Sequence, residues 1–276
     1  MRALVFGLSG QVGLALQPRL RERQAEVVAV SRQVRLPQAG VEWLEGYLQA
    51  MPPVPDGIDT VLSLGPLDAF AAWFAGSGLR GVRVIALGST SRYSKADSPL
   101  AAERDLAQRL IEAEAVLFAA GERLASPVTV LRPTLIYGNG RDRSLTPLLH
   151  FARRWHWLAL PAEANGLRQP VHVEDVAGAV LGCLDAPGTA GQAFDLPGAE
   201  VLGFAAMLDR SLQRHAPGCR VLRLPNAMFR AAFAAVSLVR PGFPGAGFLA
   251  RLQRDQLADP RPASRAFGYA PRPFEP

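Results

Sequence analysis

The run Ala3-Leu4-Val5-Phe6-Gly7-Leu8-Ser9-Gly10-Gln11-Val12-Gly13 joins four apolar residues to three glycines spaced by two. Four consecutive apolar residues read as a short buried strand, and Leu14 and Leu16 continue into an apolar stretch that can open a helix. Glycine lets the chain turn sharply between the two, and its missing side chain lets main chain approach an anion closely. The helix start then offers unpaired N–H groups and the positive end of its dipole. Strand, glycine loop and helix in this order form the pattern that holds a dinucleotide pyrophosphate. Gly7, Ser9, Gly10, Gln11, Val12 and Gly13 are its candidate contacts.

Composition narrows the rest. With 276 residues, 49% of them hydrophobic, the chain can bury a large core, which excludes global disorder. Cys183 and Cys219 make no disulfide framework and show no metal-ligand spacing, so a reducing cytoplasm and no metal are expected. The early glycines and the lack of a small-residue cleavage site argue against a signal peptide. The apolar stretch 227–249 is broken by Arg230, Arg240 and two prolines, so no membrane span is expected. The net charge of +6 does not point to nucleic acid. Lys95 is the only lysine, and the arginines are scattered without a basic block. A small, phosphate-bearing ligand suits such charge better.

Further strands are expected at 26–30, 41–44, 60–64, 81–87 and 128–133, with a short one at 171–173. Ser98-Pro99 reads as the start of a helix over 100–120 that Gly121 stops. Glu174-Asp175 reads as the cap of a helix to Leu184, with Asp175 as the capping group. Alternation of short apolar strands with helices predicts an α/β fold, a Rossmann-like doubly wound parallel sheet. Residues 1–150 would form this dinucleotide-binding domain, with 168–184 returning to it. Residues 151–276 would form a smaller, mixed C-terminal substrate-binding cap, and 191–276 shows no strand–helix alternation.

Four signals recur in a fixed order: the glycine loop, Ser89-Thr90-Ser91, Leu131-Arg132-Pro133 with Tyr137-Gly138, and Arg168-Gln-Pro-Val-His-Val-Glu-Asp175-Val-Ala177. In that order the chain resembles the extended short-chain dehydrogenase/reductases, in particular the NAD(P)-dependent epimerase/dehydratases of nucleotide sugars. The tail 254–274 resembles their C-terminal pattern too. The resemblance implies a sugar-like ligand held between sheet and cap, with Arg168 on its diphosphate and Tyr137 and Pro133 near substrate and nicotinamide; a packing role is the equal alternative for Tyr137 and Pro133. One departure is sharp. The superfamily's chemistry uses a Tyr four residues before a Lys, the lysine lowering the tyrosine's pKa. Here Tyr47, Tyr93, Tyr137 and Tyr269 are followed at that distance by Met51, Asp97, Arg141 and Pro273.

Thr90, Ser91 and Tyr93 remain as candidates for substrate hydrogen bonding and proton transfer, although Tyr93 and Lys95 also read as surface-loop residues. Arg104 and Arg109 read as solvated helix charges, and His172 as a core histidine. At the end of the second strand Ser31-Arg32 stands where an NAD-binding carboxylate would, which favours NADP(H) over NAD(H) through the 2′-phosphate. Arg32 simply exposed in a loop is the plain alternative. Ser63, Leu64 and Gly65 close the fourth strand and are expected along the cofactor. Two functions fit: an NADP-dependent oxidoreductase or epimerase of a nucleotide-sugar-like substrate, or a catalytically inactive NADP(H)-binding structural or redox-sensing protein. In the second reading the arginine- and aromatic-rich stretch 227–252 meets a protein partner. The chain itself is expected to be a monomer or a homodimer.

Overall fold

The computed structural model describes residues 1–142, 144–239 and 252–276, with backbone alone for 233–239. The chain begins β1 (Arg2–Phe6), α1 (Gln11–Glu22), β2 (Glu26–Ser31), β3 (Val41–Glu45), β4 (Thr60–Ser63), α2 (Leu67–Gly76), β5 (Arg83–Leu87), α3 (Ser91–Ser94), α4 (Ala101–Arg123) and β6 (Val128–Pro133). There follow β7 (Ile136–Tyr137), α5 (Thr146–Trp155), β8 (Trp157–Pro161), β9 (Leu167–Arg168), β10 (Val171–His172) and α6 (Val173–Asp185). The last described elements are β11 (Gln192–Leu196), β12 (Leu202–Gly203), α7 (Phe204–His215), β13 (Arg220–Leu224), α8 (Asn226–Val239) and a short helix, Arg261–Phe267.

Seven strands pair in the order β11-β6-β5-β4-β1-β2-β3, all parallel. The chain runs outward from β1 through β2 and β3, then returns to the other side of β1 at β4. That reversal opens a crevice at the carboxyl ends of β1 and β4, where open α/β sheets bind ligands. Both faces are covered, as parallel sheets require. On one face α1 and α6 bury Leu16, Leu20, Val176 and Val180. On the other, α2 and α4 bury Phe70, Phe74 and Leu117. Removing a side chain of this size from water contributes about 1.5–3 kcal/mol. A third core gathers Leu158, Leu160, Phe204, Met207 and Leu208 from β8 and α7.

Four local expectations change. The chain returns to the main sheet at β11, within the stretch that showed no alternation; β11 gains its place by pairing along β6, Phe194 opposite Leu131. Residues 171–173 give only the two-residue β10, which pairs with β7 outside the main sheet. The long helix starts at Ala101, after Leu100 as cap; Ser98 Oγ accepts from Leu100 N at 3.3 Å and donates to Glu103 Oε2 at 2.6 Å. Gly121 does not stop it. It lies buried inside α4, where a Cβ would stand 2.6 Å from Val128 Cγ2 and 2.9 Å from Ser126 O. Close approach of α4 to the start of β6 is what the glycine serves. Residues 240–251, within the stretch 227–252, lie outside the described residues.

Gly121→Ala should therefore destabilise the protein by about 1–3 kcal/mol, the cost of overpacking a filled site, despite alanine's better helix propensity. Equilibrium urea unfolding of the two proteins measures it; unchanged stability would contradict this packing.

Candidate functional site

Gly7 leaves β1 with φ at +82°, a left-handed conformation that favours glycine. The turn is closed by Gly10 N donating to Gly7 O at 2.8 Å. A Cβ on Gly7 would stand 3.1 Å from Leu64 C and O, and one on Gly13 only 2.2 Å from Leu8 O. The glycine loop thus lies against Ser63-Leu64-Gly65 at the end of β4, and α1 presses onto the loop itself. Gly10 caps α1 without a side-chain hydrogen bond, so the first N–H groups stay open to an anion, and no acidic residue sits in the first turn. Gln11 Nε2 and Ser63 Oγ are buried at this crevice and have no hydrogen-bond partner among the described residues. A glycine loop with no room for a Cβ at Gly7 or Gly13, an uncapped helix start and two orphaned polar atoms fit a dinucleotide.

At the far end of the crevice Ser31 is buried at the tip of β2. Its Oγ donates to Gln33 O at 2.8 Å and accepts from Arg35 Nε at 3.2 Å. Arg32 is exposed beside it, and the Arg35 guanidinium lies over the Trp43 ring, 5.7 Å from its centroid. Sequence reading missed Arg35. An arginine four residues past a strand looks like loop, and only the turn at Ser31 brings it back.

On the other side of β4 the segment after β5 meets the end of β6. Thr90 N and Oγ1 both donate to Pro133 O, at 3.3 and 3.4 Å. Ser91 opens the four-residue α3, its N–H donating to Ser89 Oγ at 3.1 Å. Half-exposed Tyr93 is tied to β6, for Arg132 Nη1 donates to its phenol oxygen at 2.6 Å. The guanidinium carbons of Arg92 and Arg132 lie 5.2 and 5.6 Å from the Tyr93 ring centroid. Both arginines pair with Glu114, a buried carboxylate of α4, and Arg132 Nη1 reaches Asp195 of β11 at 3.6 Å. Burial holds the Asp195 carboxyl above its ordinary range, against the pull of Arg132. Sequence reading missed this network because its members come from four separate elements.

The cap side is built differently. Tyr137 is buried at 3% exposure, its hydroxyl donating to Pro273 O at 3.3 Å and accepting from Glu275 N at 3.1 Å. Its ring packs edge-on to Phe274 and His172. Arg168 is buried too, donating to Leu167 O at 2.8 Å and Arg254 O at 2.7 Å, with its guanidinium over Phe204. Desolvation lowers it to about 10, against the opposing charge of Asp255. Asp175 does not cap α6. The cap is His172, whose Nδ1 accepts from Glu174 N at 3.2 Å, so His172 is not a core residue either. Asp175, freed of that task, accepts from Arg272 N at 3.0 Å and Arg272 Nε at 2.9 Å and so binds the tail.

No family model matches the chain. It is 30% identical over 95 residues to NADH dehydrogenase (ubiquinone) 1 alpha subcomplex subunit 9, mitochondrial, of Dictyostelium discoideum. That match takes in 33% of this chain and 26% of the relative, so the chain spans about a quarter of that protein. Among solved structures it is similar to MoeE5 in complex with UDP-glucuronic acid and NAD, with a TM-score of 0.74 at 19% identity, covering 99% of this chain and 95% of the other. It is also similar to UDP-glucuronic acid 4-epimerase from Bacillus cereus in complex with NAD, with a TM-score of 0.75 at 13% identity over 99% and 94%. The chain therefore shares the fold of these two structures, a parallel Rossmann-like sheet covered by helices on both faces. Among the described residues no helix is long and apolar enough to cross a membrane, and no group of three or more His, Cys, Asp or Glu could hold a metal.

Desolvation first, and Arg272 second, hold His172 below the ordinary histidine value. The unfolded chain then takes up this proton at higher pH than the folded one. The resulting stability is complete above about pH 6.5 and falls as pH drops below it. In His172→Asn, which can still cap α6 but does not titrate, the loss of melting temperature between pH 7.5 and 5.5 should be smaller than in the wild type. Equal losses would show that His172 contributes nothing to the slope.

Proposed function

We propose that the chain binds NADP(H) in the crevice over β1 and β4 and acts as an oxidoreductase or epimerase on a nucleotide-sugar-like substrate. The observation that carries this reading is the glycine cradle against Leu64, with the open start of α1 beside it. Gly7, Ser9, Gly10, Gln11, Val12 and Gly13 would hold the pyrophosphate, with Ser63, Leu64, Gly65 and Pro133 along the rest of the cofactor. The solved structures of this fold named above carry NAD. We assign the 2′-phosphate form here because Ser31 and Arg32 end β2 where a carboxylate would select NAD, and Arg35 adds a second guanidinium.

When bound, the nicotinamide supplies a hydride acceptor or donor at C4. The chain's own residues do the rest. Thr90 and Ser91, fixed against Pro133 and Ser89, would hydrogen-bond the substrate oxygen that changes oxidation state. Tyr93 would exchange the proton of that oxygen. Arg132, locked by Glu114, places a permanent cation on the phenol oxygen. Tyr137 would support the substrate pocket by anchoring the tail. Arg168 would reach a substrate diphosphate on exchanging its bonds to Leu167 O and Arg254 O.

A second reading has two observations in its favour: the curated relative is named as a subunit of a subcomplex, and the Tyr-x-x-x-Lys pair is missing here. In that reading the chain holds NADP(H) without turnover and meets a protein partner.

A thermal-shift series with NADPH, NADP, NADH and NAD at equal concentration separates these ideas, since a ligand of the folded state raises the melting point by mass action. NADP(H) should give the largest shift, and Arg32→Ala together with Arg35→Ala should erase the preference. No shift with any dinucleotide, in protein purified free of it, would overturn the binding reading. Turnover is tested with NADP(H) and a panel of nucleotide sugars. Tyr93→Phe should lower kcat about 10²–10⁴-fold, the range for one positioned acid–base group. Full activity in that variant would remove Tyr93 from the chemistry, and no wild-type turnover would favour the second reading.

A further inference from the structure

Between β7 and α5 the chain does not leave the site. Gly138, Asn139 and Gly140 take φ values of +106°, +35° and +64°, three successive left-handed residues. Such a run is costly for side-chain-bearing residues and bends the chain hard. It turns the segment back across the glycine loop. There Asn139 Nδ2 donates to Gln11 O at 3.0 Å, and Arg141 Nη1 donates to Ser9 O at 3.3 Å. The two acceptors flank Gly10, the cap of α1.

Both ends of this crossing are fixed. On the β7 side, a Cβ on Gly138 would lie 2.8 Å from His172 Nε2, so the backbone is pressed onto the residue that caps α6. On the α5 side, Asp142 Oδ1 accepts from Ser144 N at 2.9 Å, Leu145 N at 2.5 Å and Thr146 N at 3.1 Å, which anchors the segment to the helix start. The segment is a bridge with two piers, touching the phosphate loop in between.

The charges point the same way. Residues 7–13 contain no basic side chain, so the loop offers an anion only N–H groups and the helix dipole. Arg141 is exposed and, among the described residues, makes no ion pair. A guanidinium has five N–H donors in a planar fork suited to phosphate oxygens. The bond to Ser9 O uses one.

We propose that residues 138–141 are a strap over the dinucleotide pyrophosphate, with Arg141 supplying the positive charge that the glycine loop lacks. This inference rests on the dinucleotide reading of the crevice and adds two things to it: an arginine contact outside the loop, and a barrier to exchange. A dinucleotide beneath the strap leaves only after the Asn139–Gln11 and Arg141–Ser9 bonds open. Release is then slow compared with an uncovered loop.

The test measures NADPH dissociation from the full-length protein by stopped-flow fluorescence, chasing with excess NADP. Arg141→Ala should weaken binding about ten- to hundredfold, the range for losing a charge-assisted contact, and nearly all of that loss should lie in a faster off-rate. Arg141→Lys should fall between. Asn139→Gly keeps the left-handed backbone, removes only the donor, and should also speed release. ADP-ribose, which keeps the pyrophosphate, should lose as much affinity for Arg141→Ala as NADPH does. Adenosine 2′-monophosphate, which lacks it, should lose none. Melting temperatures of the ligand-free variants check that each folds; if Arg141→Ala does not, Arg141→Lys and Asn139→Gly decide. Wild-type off-rates in the folded variants would overturn the strap, as would a loss confined to the on-rate or shared by adenosine 2′-monophosphate. Absence of NADPH binding by the wild type would instead overturn the dinucleotide reading itself.

Discussion

The structure hangs on a contact between backbones at Gly13, where any side chain would drive its Cβ to 2.2 Å from Leu8 O. That contact sets how closely α1 lies against the loop that precedes it, and so where the open start of the helix points. The axis of α1 then fixes α6, because the two helices share a core and Arg19 pairs with Glu174 at 2.9 Å. In turn α6 carries His172 and Asp175 at its start, and these hold Gly138 and the tail. A distance set by one missing methyl group is thus passed through two helices to the cap.

The second organising element is electrostatic. Glu114 is almost wholly buried and answers to two guanidiniums, Arg92 and Arg132, while Asp195 stands by on the neighbouring strand. Breaking such a buried pair by removing one partner costs about 3–5 kcal/mol, because the remaining charge is stranded. The arrangement therefore cannot relax piecemeal, and the exposed phenol of Tyr93 borrows its rigidity. The carboxylate comes from α4, and the cation beside the Tyr93 phenol comes from β6.

Much of this was legible in the residues. Apolar runs of four to six residues and glycines at strand ends are local signals, so the six strands up to Pro133 and the cradle at Gly7 could be read directly. What could not be read depends on pairing or on turns. β11 is five residues, Gln-Ala-Phe-Asp-Leu, amid glycine and proline, and only its register along β6 makes it a strand. Gly121 looked like a helix end because a glycine's reason for being there is spatial, the approach of Val128. His172 takes the capping role that spacing suggested for Asp175, since the residue three places earlier is better placed to cap and the tail has a use for the carboxylate. Arg35 and Arg141 reach the crevice by way of bends whose direction no periodicity encodes.

The tail has a consequence for the order of folding. Tyr269 donates to Pro197 O at 2.8 Å, Arg272 is held by Asp175, Phe274 packs on Tyr137, and Glu275 N donates to the Tyr137 hydroxyl. The last of these contacts spans 138 positions of sequence. Closing so long a loop costs entropy before any contact repays it. The tail therefore docks on a sheet whose local strand–helix units have already formed.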